Sequence, residues 1–142
     1  MKKTRIYLIA LVMALCAAMS PGISAQVLRD ADFNSIGRIN GNGTVRDNTY
    51  HSVGTFDADG TVRDNAGKAL GCIKSLEIFD TAGTRIGYIN TDGTVHDGES
   101  NVLGYISISD GKVSDAQKQT IGFARGVRVD WIACYYFFDF FK

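Results

Sequence analysis

Short segments rich in apolar and β-branched residues alternate with turn residues along most of the chain, and an apolar-Gly pair marks each recurrence. The pairs are Ile36-Gly37, Val53-Gly54, Leu70-Gly71, Ile86-Gly87, Leu103-Gly104 and Ile121-Gly122, spaced by 17, 17, 16, 17 and 18 residues. A period this regular makes each unit one copy of a single supersecondary element. In the unit opening at Val53, residues 52–57 and 61–64 carry the β-branched and aromatic residues that suit strands. Ala58-Asp59-Gly60 separates them and Asp64-Asn65-Ala66-Gly67 follows, with glycine supplying the positive φ of a short connection. Each unit therefore predicts a β-hairpin. Outside the N-terminal residues, no window shows the 3.6-residue apolar period of a helix.

The other units repeat this cadence with graded fidelity. Asn40-Gly41-Asn42-Gly43-Thr44-Val45-Arg46-Asp47 and Asn90-Thr91-Asp92-Gly93-Thr94-Val95-His96-Asp97 are close copies, and residues 109–115 a looser one. The third unit places Ser75-Leu76 where the others have an Asp-Gly turn, and the missing residue accounts for the 16-residue interval. The predicted fold is all-β, with five consecutive antiparallel β-hairpin repeats of about 17 residues closed into a ring of pseudo-five-fold symmetry. Closure removes the two exposed edges that an open meander would leave. Residues 27–34 and 123–138 are the segments available to shut the ring, with residues 131–135 read as a closing strand and the aromatic end beyond them exposed. The anchor glycines fit either of two explanations: backbones crowding toward an axis, or a bulge repeated by duplication.

Residues 1–25 read as a signal peptide preceding a single domain over 26–142. Lys2, Lys3 and Arg5 form its basic start, residues 6–19 its apolar stretch, and Ile23-Ser24-Ala25 its cleavage site. The apolar stretch falls short of the ~18 to 20 residues that span a bilayer, so no transmembrane span is expected in the mature chain. Leu15 before Cys16 is larger than lipid-attachment sites favour. The expected localisation is the periplasm, the outer-membrane surface or the extracellular space. Removing Lys2, Lys3 and Arg5 takes the net charge from zero to −3, a balance unsuited to nucleic acid. Two cysteines, Cys72 and Cys134, then remain in an oxidising compartment, either bridged as a disulfide or buried as separate thiols.

The apolar-Gly-x-apolar step, then Asp-Gly-Thr-Val-Arg/His-Asp, then a further glycine, following a secretory signal and preceding an aromatic C-terminus, resembles the five-fold β-flower family of small secreted Bacteroidota proteins. The resemblance covers roughly residues 35–141. It implies a five-petalled all-β fold and an exported protein, and it carries over no functional residue.

Asp47, Asp64, Asp80, Asp97 and Asp115 recur once per unit. A carboxylate ring suits a hard cation, but each Asp begins a turn whose amides it can cap, and capping is the stronger reading. No metal and no cofactor are expected. Arg46 and Arg63 share an equivalent position with Phe79, His96 and Ser114, which reads as solvent-facing strand. His51 and His96 lie in non-equivalent places, and no nucleophile-elbow motif accompanies them, so no catalytic residue is assigned. The aromatic run at residues 131–141 is the most unusual stretch, with Tyr136, Phe138, Phe140 and Phe141 as candidate contact residues for an envelope or extracellular partner. The functional expectation is an exported cell-envelope binding or structural module without catalytic activity. The alternative is a small secreted hydrolase or hydrolase inhibitor acting at the mouth of the ring.

Overall fold

The predicted hairpins form, and they close. The computed structural model describes residues 26–141, so the signal peptide assigned to residues 1–25, with Cys16, lies outside the described residues. Twelve strands run in order around a closed antiparallel barrel: β1 (Gln26–Asp30), β2 (Ser35–Ile39), β3 (Thr44–Asp47), β4 (Ser52–Phe56), β5 (Thr61–Asp64), β6 (Ala69–Lys74), β7 (Glu77–Phe79), β8 (Arg85–Ile89), β9 (Thr94–Asp97), β10 (Val102–Ile106), β11 (Lys112–Asp115) and β12 (Thr120–Phe123). The five continuous hairpins span β2 to β11. The chain ends supply the closure: β1 pairs with β12, Arg29 opposite Phe123 and Asp30 opposite Gly122. This register matches Arg46 opposite Arg38 and Asp47 opposite Gly37 in the first hairpin. Leu28-Arg29-Asp30 thus stands where Val45-Arg46-Asp47 stands, completing a sixth two-stranded unit.

Alternation along the strands builds an interior of three layers. The middle layer is Leu28, Val45, Val62, Ile78, Val95 and Val113, all fully buried. One flanking layer is Ile39, Phe56, Ile73, Ile89, Ile106 and Ala124, and the other consists of the six anchor glycines. At each anchor the register slips by one residue: Val45 faces Gly54 but Arg46 faces Ser52, leaving Val53 as a bulge. The same slip singles out Ile36, Leu70, Ile86, Leu103 and Ile121.

A barrel of about eight strands is filled by its own side chains, and a larger one is not. Here a helix fills the remainder. The segment read as a closing strand is α1 (Val129–Phe137), with Ile132, Ala133 and Cys134 buried inside the barrel. Ringed by the barrel wall, the helix is apolar on nearly every face, so its sequence shows no apolar stripe and the periodicity test misses it. Trp131 stacks on Phe56 in the isoleucine layer at 5.2 Å. Asp130, buried in the first helical turn, is gripped by the Arg128 fork, Nε to Oδ1 at 3.1 Å and Nη2 to Oδ2 at 2.6 Å.

The cysteines are both free. Cys134 points into the plugged interior, where burial, and then the Asp130 charge, push its thiol well up. Cys72 lies between inward Gly71 and Ile73, so alternation turns it to the outer face. The sheet itself separates the two thiols, and the disulfide alternative is not realised.

Candidate functional site

Six turns crown the glycine end of the barrel, and one rule builds them. Asp30, Asp47, Asp64, Asp80, Asp97 and Asp115 each accept two turn amides on Oδ1, from the residues two and four positions on, at 2.9 to 3.0 Å. The carboxylate ring is therefore a ring of turn caps, with Asp30 as a sixth member not recognised in the repeat. Hydrogen bonds outweigh desolvation and hold several of these carboxyls below the ordinary range, chiefly from the Thr49 hydroxyl at Asp47 and the Asn101 side chain at Asp97. Among the described residues, no three His, Cys, Asp or Glu side chains converge as a metal-ligand set. Arg46 and Arg63 lie on the outer wall as expected, and each donates to the carbonyl of its own turn, Tyr50 and Gly67, as Arg29 does to Phe33.

The fourth turn position adopts positive φ in every unit. It is Phe33 (66°), Tyr50 (68°), Gly67 (85°), Gly83 (81°), Ser100 (70°) and Lys118 (65°). Glycine suits this conformation, whereas an aromatic there is uncommon. Phe33 and Tyr50 are nonetheless present, neighbours around the mouth, and each 61% exposed. Sequence reasoning missed both, although aligning the six turns on their aspartates would have set these two rings opposite glycines.

Inside the mouth, the aromatic run meets the anchor glycines one for one. A Cβ placed on Gly37 would strike Tyr135, and on Gly122, Gly104, Gly87, Gly71 and Gly54 it would strike Tyr136, Phe137, Phe138, Phe140 and Phe141. The rings thus follow the barrel around from one unit to the next. Asp139, at φ 57°, interrupts the run and turns the chain toward the last two notches. A carbonyl of the adjoining strand crowds each glycine from the other side. Crowding and bulge, offered above as alternatives, occur together at the same pairs. Tyr136, Phe138, Phe140 and Phe141 are half-buried in these notches, not arrayed as an outward patch. Tyr136 donates to the Arg29 carbonyl at 2.7 Å, and burial raises its phenol pKa strongly.

The series begins at Gly37 and ends at Gly54, and a cavity of about 250 Å³ lies at that seam. Ile36, Val53, Ile121, Tyr135, Tyr136 and Phe141 line it, together with Arg46 and Asp47. No histidine reaches it. His51 Nδ1 sits 2.7 Å from Thr49 Oγ1, but that hydroxyl donates to Asp47, so the imidazole N–H must donate to the threonine oxygen. This is the reverse of a base activating a nucleophile. His96 stacks on Tyr88 at 4.6 Å and contacts Asn90 and the Ser100 carbonyl on the outer wall.

No helix among the described residues is long and apolar enough to cross a membrane. No curated protein matches the chain, and no solved structure matches it. A family model described as 5-fold beta-flower protein matches residues 20–141. With five continuous hairpins, a ring closed by the chain ends and a match over most of its length, this chain belongs to the 5-fold β-flower proteins.

Proposed function

We infer that this β-flower is an exported, non-catalytic binding module of the cell envelope, and that the seam of its mouth is the contact surface. The cavity between Tyr135 and Phe141 carries this reading, because it is the sector where the aromatic lining of the ring gives way to a hollow. It combines an apolar lining with a few polar groups, Asp47 and two tyrosines, the composition typical of ligand-binding hollows. The aromatic tail thus contributes through Tyr136 and Phe141 at the seam, while Phe138 and Phe140 serve the core. The hydrolase alternative has less support, since neither histidine faces this cavity.

The test compares retention of solubilised envelope components by wild type, by Val53→Thr and Ile121→Thr at the mouth, and by Tyr88→Ser on the far wall. Loss confined to the mouth variants, with their circular dichroism unchanged, is the expected result. Equal retention by all four proteins overturns the reading. Export predicts a mature N-terminus at Gln26 without acylation of Cys16, and intact mass of the envelope-purified protein showing residues 1–25 retained would refute it.

A further inference from the structure

The six-unit ring supplies its own internal control, and one sector departs from it. Phe33 and Tyr50 occupy neighbouring turns at a position that is Gly67, Gly83, Ser100 or Lys118 elsewhere. Bulky side chains in left-handed backbone carry strain, which concentrates where function demands it. Neither ring is buried, so core packing does not explain them. Each is instead braced on one face: Phe33 by Phe123 at 4.2 Å and 12° between planes, Tyr50 by the Arg38 guanidinium at 4.8 Å. Bracing on a single side leaves the opposite face as a fixed, exposed platform.

Cations gather beside these platforms. Arg38 and Arg46 stand directly opposite each other on β2 and β3, an unfavourable like-charge pairing unless an anion lies between them. Arg29 follows on β1, adjacent to β2. Arg29 and Arg46 each use one nitrogen on a turn carbonyl, at 2.8 and 3.1 Å, and retain the other donors of the fork. Of the carboxylates in the same turns, Asp30 and Asp47 are directed by Oδ1 into their own turn amides, while Asp32 stands exposed beside Phe33.

We propose that the outer wall around Phe33, Tyr50, Arg29, Arg38 and Arg46 binds a polyanionic glycan. The C–H face of a pyranose lies flat on the electron-rich face of each ring, while its carboxylate or sulfate groups take the free guanidinium donors. This proposal rests on the mouth sector being the contact surface, and it places an anion-reading part of that surface on the wall outside the seam cavity.

Affinity electrophoresis at physiological ionic strength tests it, with polygalacturonate and dextran sulfate as probes and dextran as the neutral control. Wild type is retarded by at least one polyanion and not by dextran. The double variant Phe33→Gly, Tyr50→Gly places glycine where φ favours it, so the protein melts no lower than wild type, yet retardation falls roughly tenfold or more. Arg38→Gln falls comparably, and Lys74→Gln, exposed on β6 away from the sector, does not. No retardation of wild type by either polyanion overturns the proposal. So does unchanged binding by the double glycine variant, which would reduce the interaction to general electrostatics, or tighter binding to phosphatidylglycerol vesicles than to either glycan. If the mouth variants lose envelope retention while the polyanions fail to bind, the ligand class alone is wrong.

Discussion

The inner and outer faces of this barrel are made from the same six units and obey opposite rules. Inside, every unit presents glycine to an aromatic ring of the plug, and a Cβ at any of the six would meet a neighbour at 3.0 Å or less. Outside, the equivalent positions carry Arg29, Arg46, Arg63, Phe79, His96 and Ser114, six residues with no common chemistry beyond their reach toward solvent. The inner face is constrained because all six units share one occupant, the segment from α1 to Phe141. The outer face has no shared occupant, so each unit varies independently. Close packing accordingly makes the interior uniform, and differences between sectors collect on the wall and rim.

Removing the shared occupant gives the largest expected effect. Truncation after Arg128 deletes the buried part of α1 and all six notch-filling aromatics. At about 1.5 to 3 kcal/mol per large apolar side chain buried, that loss is comparable to the whole ~5 to 15 kcal/mol stability of a small domain. Circular dichroism and sedimentation should show an unfolded or aggregated chain. A monomer with a wild-type melting curve would mean that the ring stands without its plug.

A single notch comes next. Gly87→Val drives a branched side chain into Phe138 and the His96 carbonyl, at an expected cost of about 1 to 3 kcal/mol. Tyr88→Ser, one residue along on the outer wall, should cost clearly less. Pairing Gly87→Val with Phe138→Ala should recover part of the loss, because the two positions share one volume. Thermal melts of the three variants that erase the difference between positions 87 and 88 would dissolve the contrast between the faces.

Turn backbone is a smaller lever. Ser100→Gly and Lys118→Gly relieve positive φ at positions where Gly67 and Gly83 occur naturally, and should stabilise by about 0.5 to 1 kcal/mol. Gly67→Ala should shift the melt the other way. The smallest effect is an acid shoulder. The depressed carboxyls at Asp47, Asp59, Asp92 and Asp97 contribute stability that is fully present above the ordinary carboxyl value of 3.8 and lost as pH falls through their lower folded values. Acid melts of Asp97→Asn should show a weaker dependence on pH below that point than wild type.

The hairpins, the turn aspartates and the odd third unit were legible because each is a local event. Ser75 and Leu76 form a positive-φ turn at 50° and 65°, and the Leu76 carbonyl accepts from Ile89 where Gly43 accepts from Phe56 elsewhere. The plug was not legible. Its sequence lacks helical periodicity because the surroundings that define its faces lie about a hundred residues away, as the Tyr135 contact with the Ile36 carbonyl illustrates. The sixth unit escaped for a related reason: Leu28-Arg29-Asp30 copies half a repeat, and its other half is β12 at the far end of the domain. The exposed rings at 33 and 50 required comparison between turns, whereas the aromatic run drew attention by its density.

Closure by the chain ends has a kinetic consequence. Every strand precedes α1 in the chain, so a meander that has not yet docked its plug carries six empty notches. Pairing β1 with β12 joins segments at nearly maximal separation, a contact made slow by loop closure. The chain should therefore commit to its final form in one late step that docks the aromatics and seals the ring together, and variants that hinder docking should slow refolding more than those that weaken any single hairpin.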